Sequence, residues 1–142
     1  MKSLMKKLSR QSYPSLRMRR LRDSSSIRKL IRETSLSAHN LIQPIFLTDG
    51  FNKKEKIMSM PNIYRYSIDN ALKEIKSLCA LGIVAIALFP KISSSKKSLN
   101  ADEAYNKNGL IQNSIRKIKD KFPNILIISD VALDPYTSHG QD

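Results

Sequence analysis

Three short apolar runs, at residues 41–48, 83–89 and 125–128, alternate with two helix-length amphipathic stretches, and few folds accommodate that alternation. The middle run, Ile-Val-Ala-Ile-Ala-Leu-Phe, is apolar at every position and therefore on both faces. Strands of that kind belong to parallel sheets covered by helices. Between the first two runs, apolar residues at 68, 71, 72, 75, 78 and 79 recur at helical spacing, with Ser67 as N-cap and Gly82 as the stop. Cys79 shares that apolar face, where core packing is expected. Ile111, Ile115, Ile118 and Phe122 mark a second helix, with Pro123 just past its end. The predicted order is strand, helix, strand, helix, strand. Pro44 is awkward in the middle of the first strand, because it cannot donate to a ladder.

Two architectures fit this order, a doubly wound sheet and the first strands of a (β/α)8 barrel. Neither a Gly-rich dinucleotide turn nor a phosphate loop follows any run, which favours the barrel. The expected fold class is therefore α/β: the N-terminal part, about three βα units, of a TIM (β/α)8 barrel behind an extended N-terminal arm. A barrel needs about 250 residues, so these 142 would supply less than half of one.

Charge separates the arm from the rest. Residues 1–32 carry eleven Lys or Arg and one acid, a net +10, whereas residues 33–142 carry fourteen against eleven, a net +3. The division expected is a basic arm at 1–35, acting as an oligomer contact, and three strands with two helices at 36–142. Residues 1–26 are too poor in apolar side chains to offset the entropy of ordering without a partner surface. Such an arm can bind phosphates nonspecifically, but it has no interleaved aromatics apart from Tyr13. Its Arg- and Ser-rich, acid-poor composition also resembles a transit peptide. No run approaches the roughly 20 apolar residues that span a membrane, and none matches a secretory signal. A single cysteine excludes a disulfide framework and fits a reducing, cytoplasmic setting.

Chemistry-bearing residues concentrate after the third strand. Asp130, Asp134 and Asp142 lie within thirteen residues, together with Tyr136, Ser138 and His139, and Ser129 directly precedes them. At the carboxyl end of a barrel strand, acids point into the active-site mouth. There they could hold a hard cation, bind a substrate ammonium or move protons. The plainer alternative is a polar loop in which Asp130 caps a helix and Asp134-Pro135 starts a turn. His39, and Lys91, Lys96 and Lys97 in a polar Ser/Lys stretch, read as surface residues.

The segment Asp-Val-Ala-Leu-Asp-Pro-Tyr-Thr-Ser-His-Gly-Gln-Asp, residues 130–142, resembles the metal loop of the porphobilinogen synthase (5-aminolevulinate dehydratase) family. Supporting motifs run in order along the chain: Arg-Met-Arg-Arg-Leu-Arg from Arg17, Ser-Met-Pro-Asn from Ser59, Leu-Gly-Ile-Val-Ala-Ile-Ala-Leu-Phe-Pro from Leu81, Glu-Ala-Tyr-Asn from Glu103, and Gly109-Leu110. Asn62 stands where that family usually has glycine. Zinc-dependent members carry three cysteines in the loop, at the positions of Ala132, Asp134 and Asp142 here. Carboxylates suit magnesium or monovalent ions where thiolates suit zinc.

The resemblance implies condensation of two 5-aminolevulinate molecules to porphobilinogen with loss of two waters, in tetrapyrrole synthesis. It implies Mg2+ or K+ as cofactor, no catalytic zinc, and a homo-oligomer, commonly an octamer, assembled through the arm. Asp130 would orient substrate or transfer protons, and Asp134 and Asp142 would hold a cation or the substrate amine. Ser129, Tyr136 and His139 would support them. Two lysines form Schiff bases in this family, on strands equivalent to positions beyond 142, so the 142 residues alone are expected to make no porphobilinogen. The alternatives are a non-catalytic relic or subunit-interaction piece and, less favoured, a basic nucleic-acid-binding module. Neither nucleic acid nor membrane is an expected partner.

Overall fold

A computed structural model describes residue 17 and residues 19–141. The chain divides after Leu36 into two compact units. In the first, a 3-10 turn at Arg20–Arg22 precedes helix α1, Ser25–Leu30. Ser24 caps α1 by accepting a hydrogen bond from the Ile27 N–H at 3.2 Å. The helix buries none of its side chains, and Leu30 is exposed.

The second unit holds a sheet of strands β1 (Ile42–Thr48), β2 (Lys54–Lys56), β3 (Tyr64–Tyr66), β4 (Ala85–Lys91) and β5 (Leu126–Ser129). Their order is β2-β3-β1-β4-β5. β1, β4 and β5 are mutually parallel, with Ile45 opposite Leu88 and Ile86 opposite Ile127. Helix α2, Ile68–Ala80, connects β3 to β4, and helix α3, Leu110–Lys121, connects β4 to β5. Ile45 and Leu47 of β1, Ile86 and Leu88 of β4, Ala71, Ile75 and Leu78 of α2, and Ile111 and Ile118 of α3 form one core. No helix among the described residues is long and apolar enough to cross a membrane.

The elements differ from expectation at four points. A hairpin, β2 with β3 antiparallel, is inserted between β1 and α2, and β3 pairs with β1 only at Phe46 and Leu47. β1 therefore has an open edge at Pro44, where a residue lacking an N–H is tolerated. β4 runs through Pro90 to Lys91 because β5 reaches only as far as Leu88 along its other edge. Ser67 stands at the N-cap of α2, yet its hydroxyl accepts from the Lys53 N–H at 2.8 Å and donates to the Lys53 carbonyl. The expectation for Cys79 is corrected. α2 buries Ala71, Ile75 and Leu78, a stripe at i, i+4 and i+7, and Cys79, one residue beyond it, turns to solvent.

Gly82 closes α2 at φ +84°, with its N–H on the Cys79 carbonyl. Asn62, in the turn between β2 and β3, has φ +62°. The left-handed region is open to glycine and tolerated by asparagine, which explains how Asn62 fills a position where resembling sequences carry glycine. Asn62→Ala should lower stability by about 1 kcal/mol and Asn62→Gly should not. Urea unfolding midpoints of the two variants check this.

Candidate functional site

The carboxyl ends of β1, β4 and β5 open onto a cleft of about 400 Å³. Phe46 of β1 and Phe89 of β4 sit opposite each other in register and line it, their rings 5.5 Å apart. Asp130, Ala132, Asp134, Pro135 and Tyr136, from the loop after β5, form one wall. Arg65, Lys91 and Lys97 bring positive charge to the same cleft from β3, the end of β4 and the loop after it.

The acid-bearing loop is built from short-range bonds. Asp130 accepts from the Ala132 N–H through Oδ1 at 3.2 Å. The Tyr136 and Thr137 N–H groups both donate to the Leu133 carbonyl, at 2.8 and 3.1 Å, closing a turn that starts at Leu133. The Thr137 hydroxyl donates to the Gln141 carbonyl at 2.8 Å and closes the following turn. Among the described residues no helix follows Asp130, so it caps none, and the turn around Pro135 starts one residue before Asp134; these bonds carry the acids to the cleft.

This loop also docks on the loop after β4. Tyr136 is buried with Ile92 and Ala101 in a small second core. Ser98 donates its N–H to the Tyr136 carbonyl at 3.2 Å and accepts from the Ser138 N–H at 3.0 Å, a parallel bridge between Ser98 and Thr137. Burial, followed by the nearby carboxylates of Glu103 and Asp130, pushes the Tyr136 phenol above its usual range, so the hydroxyl keeps its proton. On the opposite side Lys91 donates to Glu55 at 2.8 Å, and that bond holds the Glu55 carboxyl below its usual range.

Of the residues singled out from sequence, Asp130, Ala132, Asp134 and Tyr136 come together in the cleft. Ser129 ends β5, in register with Leu88, and does not line it. His139 is exposed outside the cleft, its Nδ1 accepting from the Gln141 N–H at 3.3 Å. Asp142 lies outside the described residues. The three basic residues of the cleft, Arg65, Lys91 and Lys97, were not foreseen there from sequence. Lys91 and Lys97 read as solvated loop charges, yet Lys91 is the last residue of β4, and the carboxyl end of a parallel strand was the signal that could have found it.

The donors at the exit of β5 are carboxylate oxygens, suited to a hard cation or an ammonium group. Cys79, in the last turn of α2, is not among the residues lining the cleft. Among the described residues no three acidic, histidine or cysteine side chains converge to hold a metal ion.

A family model described as delta-aminolevulinic acid dehydratase matches residues 15–142. The delta-aminolevulinic acid dehydratase of Chlamydia pneumoniae is 45% identical over 128 residues, which cover 90% of this chain and 39% of that protein. The chloroplastic enzyme of Glycine max is 42% identical over 127 residues, 89% of this chain and 31% of that one. The crystal structure of the Toxoplasma gondii dehydratase (porphobilinogen synthase), in complex with the reaction product porphobilinogen, superposes with a TM-score of 0.83 at 40% identity. That match covers 87% of this chain and 35% of the other. The chain thus spans well under half the length of these relatives, and its sheet and helices are the opening βα units of a (β/α)8 barrel.

Proposed function

Because the chain belongs to the delta-aminolevulinic acid dehydratase family, we propose that its cleft is part of a porphobilinogen synthase active site, where two molecules of 5-aminolevulinate are joined with loss of two waters. The observation that carries this reading is the convergence of Asp130, Asp134 and Tyr136 at the exit of the third parallel strand. A substrate ammonium placed there meets two carboxylates, which bind it, orient it and accept the proton it must lose before its nitrogen can attack a carbonyl. Asp130, fixed by its bond to the Ala132 N–H, takes the proton-transfer role. Asp134 and Asp142 hold the amine or a hard cation. Magnesium or potassium, if bound, would be held by Asp134 and Asp142 and would supply positive charge beside the substrate, since carboxylate oxygens suit such hard cations where thiolates suit zinc. The Tyr136 hydroxyl supports the acids from the second core. Phe46 and Phe89 give the cleft an apolar surface that excludes water from the reacting carbons.

The imine-forming lysines of this family belong to later strands, so Lys91 and Lys97 are not assigned that step. We read residues 1–35 as the arm through which a homo-oligomer, of octamer type, assembles, in a reducing cytoplasmic setting. Residues 1–16 and 18 of that arm lie outside the described residues.

The test is a chimera. Residues 37–142 replace the matching segment of the Chlamydia pneumoniae enzyme, and porphobilinogen formation from 5-aminolevulinate is followed. Turnover near that of the parent is expected. A folded, oligomeric chimera without turnover would contradict the reading.

A further inference from the structure

Lys96 lies in the loop after β4 but does not line the cleft. Its Nζ is 2.9 Å from Asp49 Oδ2, in the turn after β1, and 3.6 Å from Glu103 Oε1. The two contacts differ in weight. Asp49 is 47% exposed, and an ion pair in that setting contributes little. The Glu103 side chain is only 11% exposed. Its Oε2 accepts from the Asn106 amide at 2.8 Å, but its Oε1 is buried with no hydrogen-bond partner among the described residues. Lys96 is the cation recorded within ion-pair distance of that oxygen, and a buried carboxylate left uncompensated is costly.

Glu103 belongs to a 3-10 turn, Asp102–Tyr105, that follows directly on Ala101. Ala101 is buried against Tyr136 and Ile92, with Ala104 packed on the same cluster. Two residues beyond Lys96, Ser98 makes the bridge to Tyr136 and Thr137. Lys96 is therefore tied to the turn after β1 directly and to the acid loop after β5 through its own loop.

We propose that Lys96 is a positioning residue: held between Asp49 and Glu103, its ammonium fixes the loop after β4 and thereby sets where the loop bearing Asp130 and Asp134 stands at the cleft. Its importance for catalysis rests on the dehydratase reading; the clasp itself does not.

Amide hydrogen exchange on the 142-residue chain tests the clasp without turnover. Lys96→Met should speed exchange of the Ser98 and Ser138 amides about tenfold while leaving the Leu47 and Leu88 amides unchanged. Lys96→Arg should restore protection. So should Glu103→Gln added to Lys96→Met, because it removes the uncompensated carboxylate, a rescue that loss of packing alone would not show. Unchanged exchange at Ser98 and Ser138, acceleration shared equally by the core amides, or failure of both rescues would overturn the proposal. In the chimera, Lys96→Met should lower kcat by about tenfold and Lys96→Arg restore it. An inactive chimera whose exchange pattern is as expected would count against the dehydratase reading alone.

Discussion

Asp130→Asn in the chimera should lower kcat for porphobilinogen formation by roughly 10²- to 10⁴-fold, the range that a positioned proton-transfer group supplies. The substitution is chosen because the asparagine side chain keeps an oxygen where Asp130 Oδ1 accepts from the Ala132 N–H. The loop should therefore hold its shape, and the loss should be chemical rather than structural. The unfolding midpoint should stay within error of the unsubstituted chimera. A kcat within a few-fold of the parent would remove Asp130 from the mechanism. Asp134→Asn offers a contrast: a residue that holds the amine or a cation should show in KM as well as in kcat.

The second large effect falls on stability. Ile86 is fully buried in β4, paired through the backbone with Gln43 of β1 and Ile127 of β5. Ile86→Ala should cost about 2 to 5 kcal/mol, because both the burial of the removed atoms and the filling of the space they leave are lost. That is a large share of the roughly 5 to 15 kcal/mol that keeps an ordinary domain folded. Urea unfolding should show a much lower midpoint at a similar slope. Leu126→Ala on β5, where the side chain is 58% exposed, should move the midpoint far less. Equal shifts for the two variants would mean that β4 is not the centre of the packed sheet.

The main elements were legible because they are written in side-chain pattern. The run 83–89 is legible as a strand because Ile86 and Leu88 of β4 pack under the helices in the core, while Phe89 faces Phe46 at the cleft. α2 could be read from the spacing of its buried stripe, but Cys79 could not, because apolar residues at both 78 and 79 leave the orientation of the last turn to packing. The β2–β3 hairpin was not legible. Its strands are three residues each, Lys-Glu-Lys and Tyr-Arg-Tyr, too short and too charged for an alternation to register. What organises it is the bond of Ser67 to Lys53 and the docking of β3 on β1, both long-range.

The candidate site was legible in a different way. Spacing alone left Asp130 open to capping a helix and Asp134 to starting a turn, whereas Asp130 bonds the Ala132 N–H with no helix following and the turn starts at Leu133. The resemblance implied an active-site role for them, and the fold places both at one cleft with Tyr136. Arg65 and Lys97 had no sequence signal, since each reaches the cleft only through the path of a loop or short strand set by tertiary pairing.

A carboxylate site at the exit of β5, as proposed, works without zinc, and porphobilinogen formation by the chimera with and without a zinc-selective chelator is the measurement that decides it. Turnover unchanged by the chelator is expected. Loss of activity that zinc alone restores would contradict it.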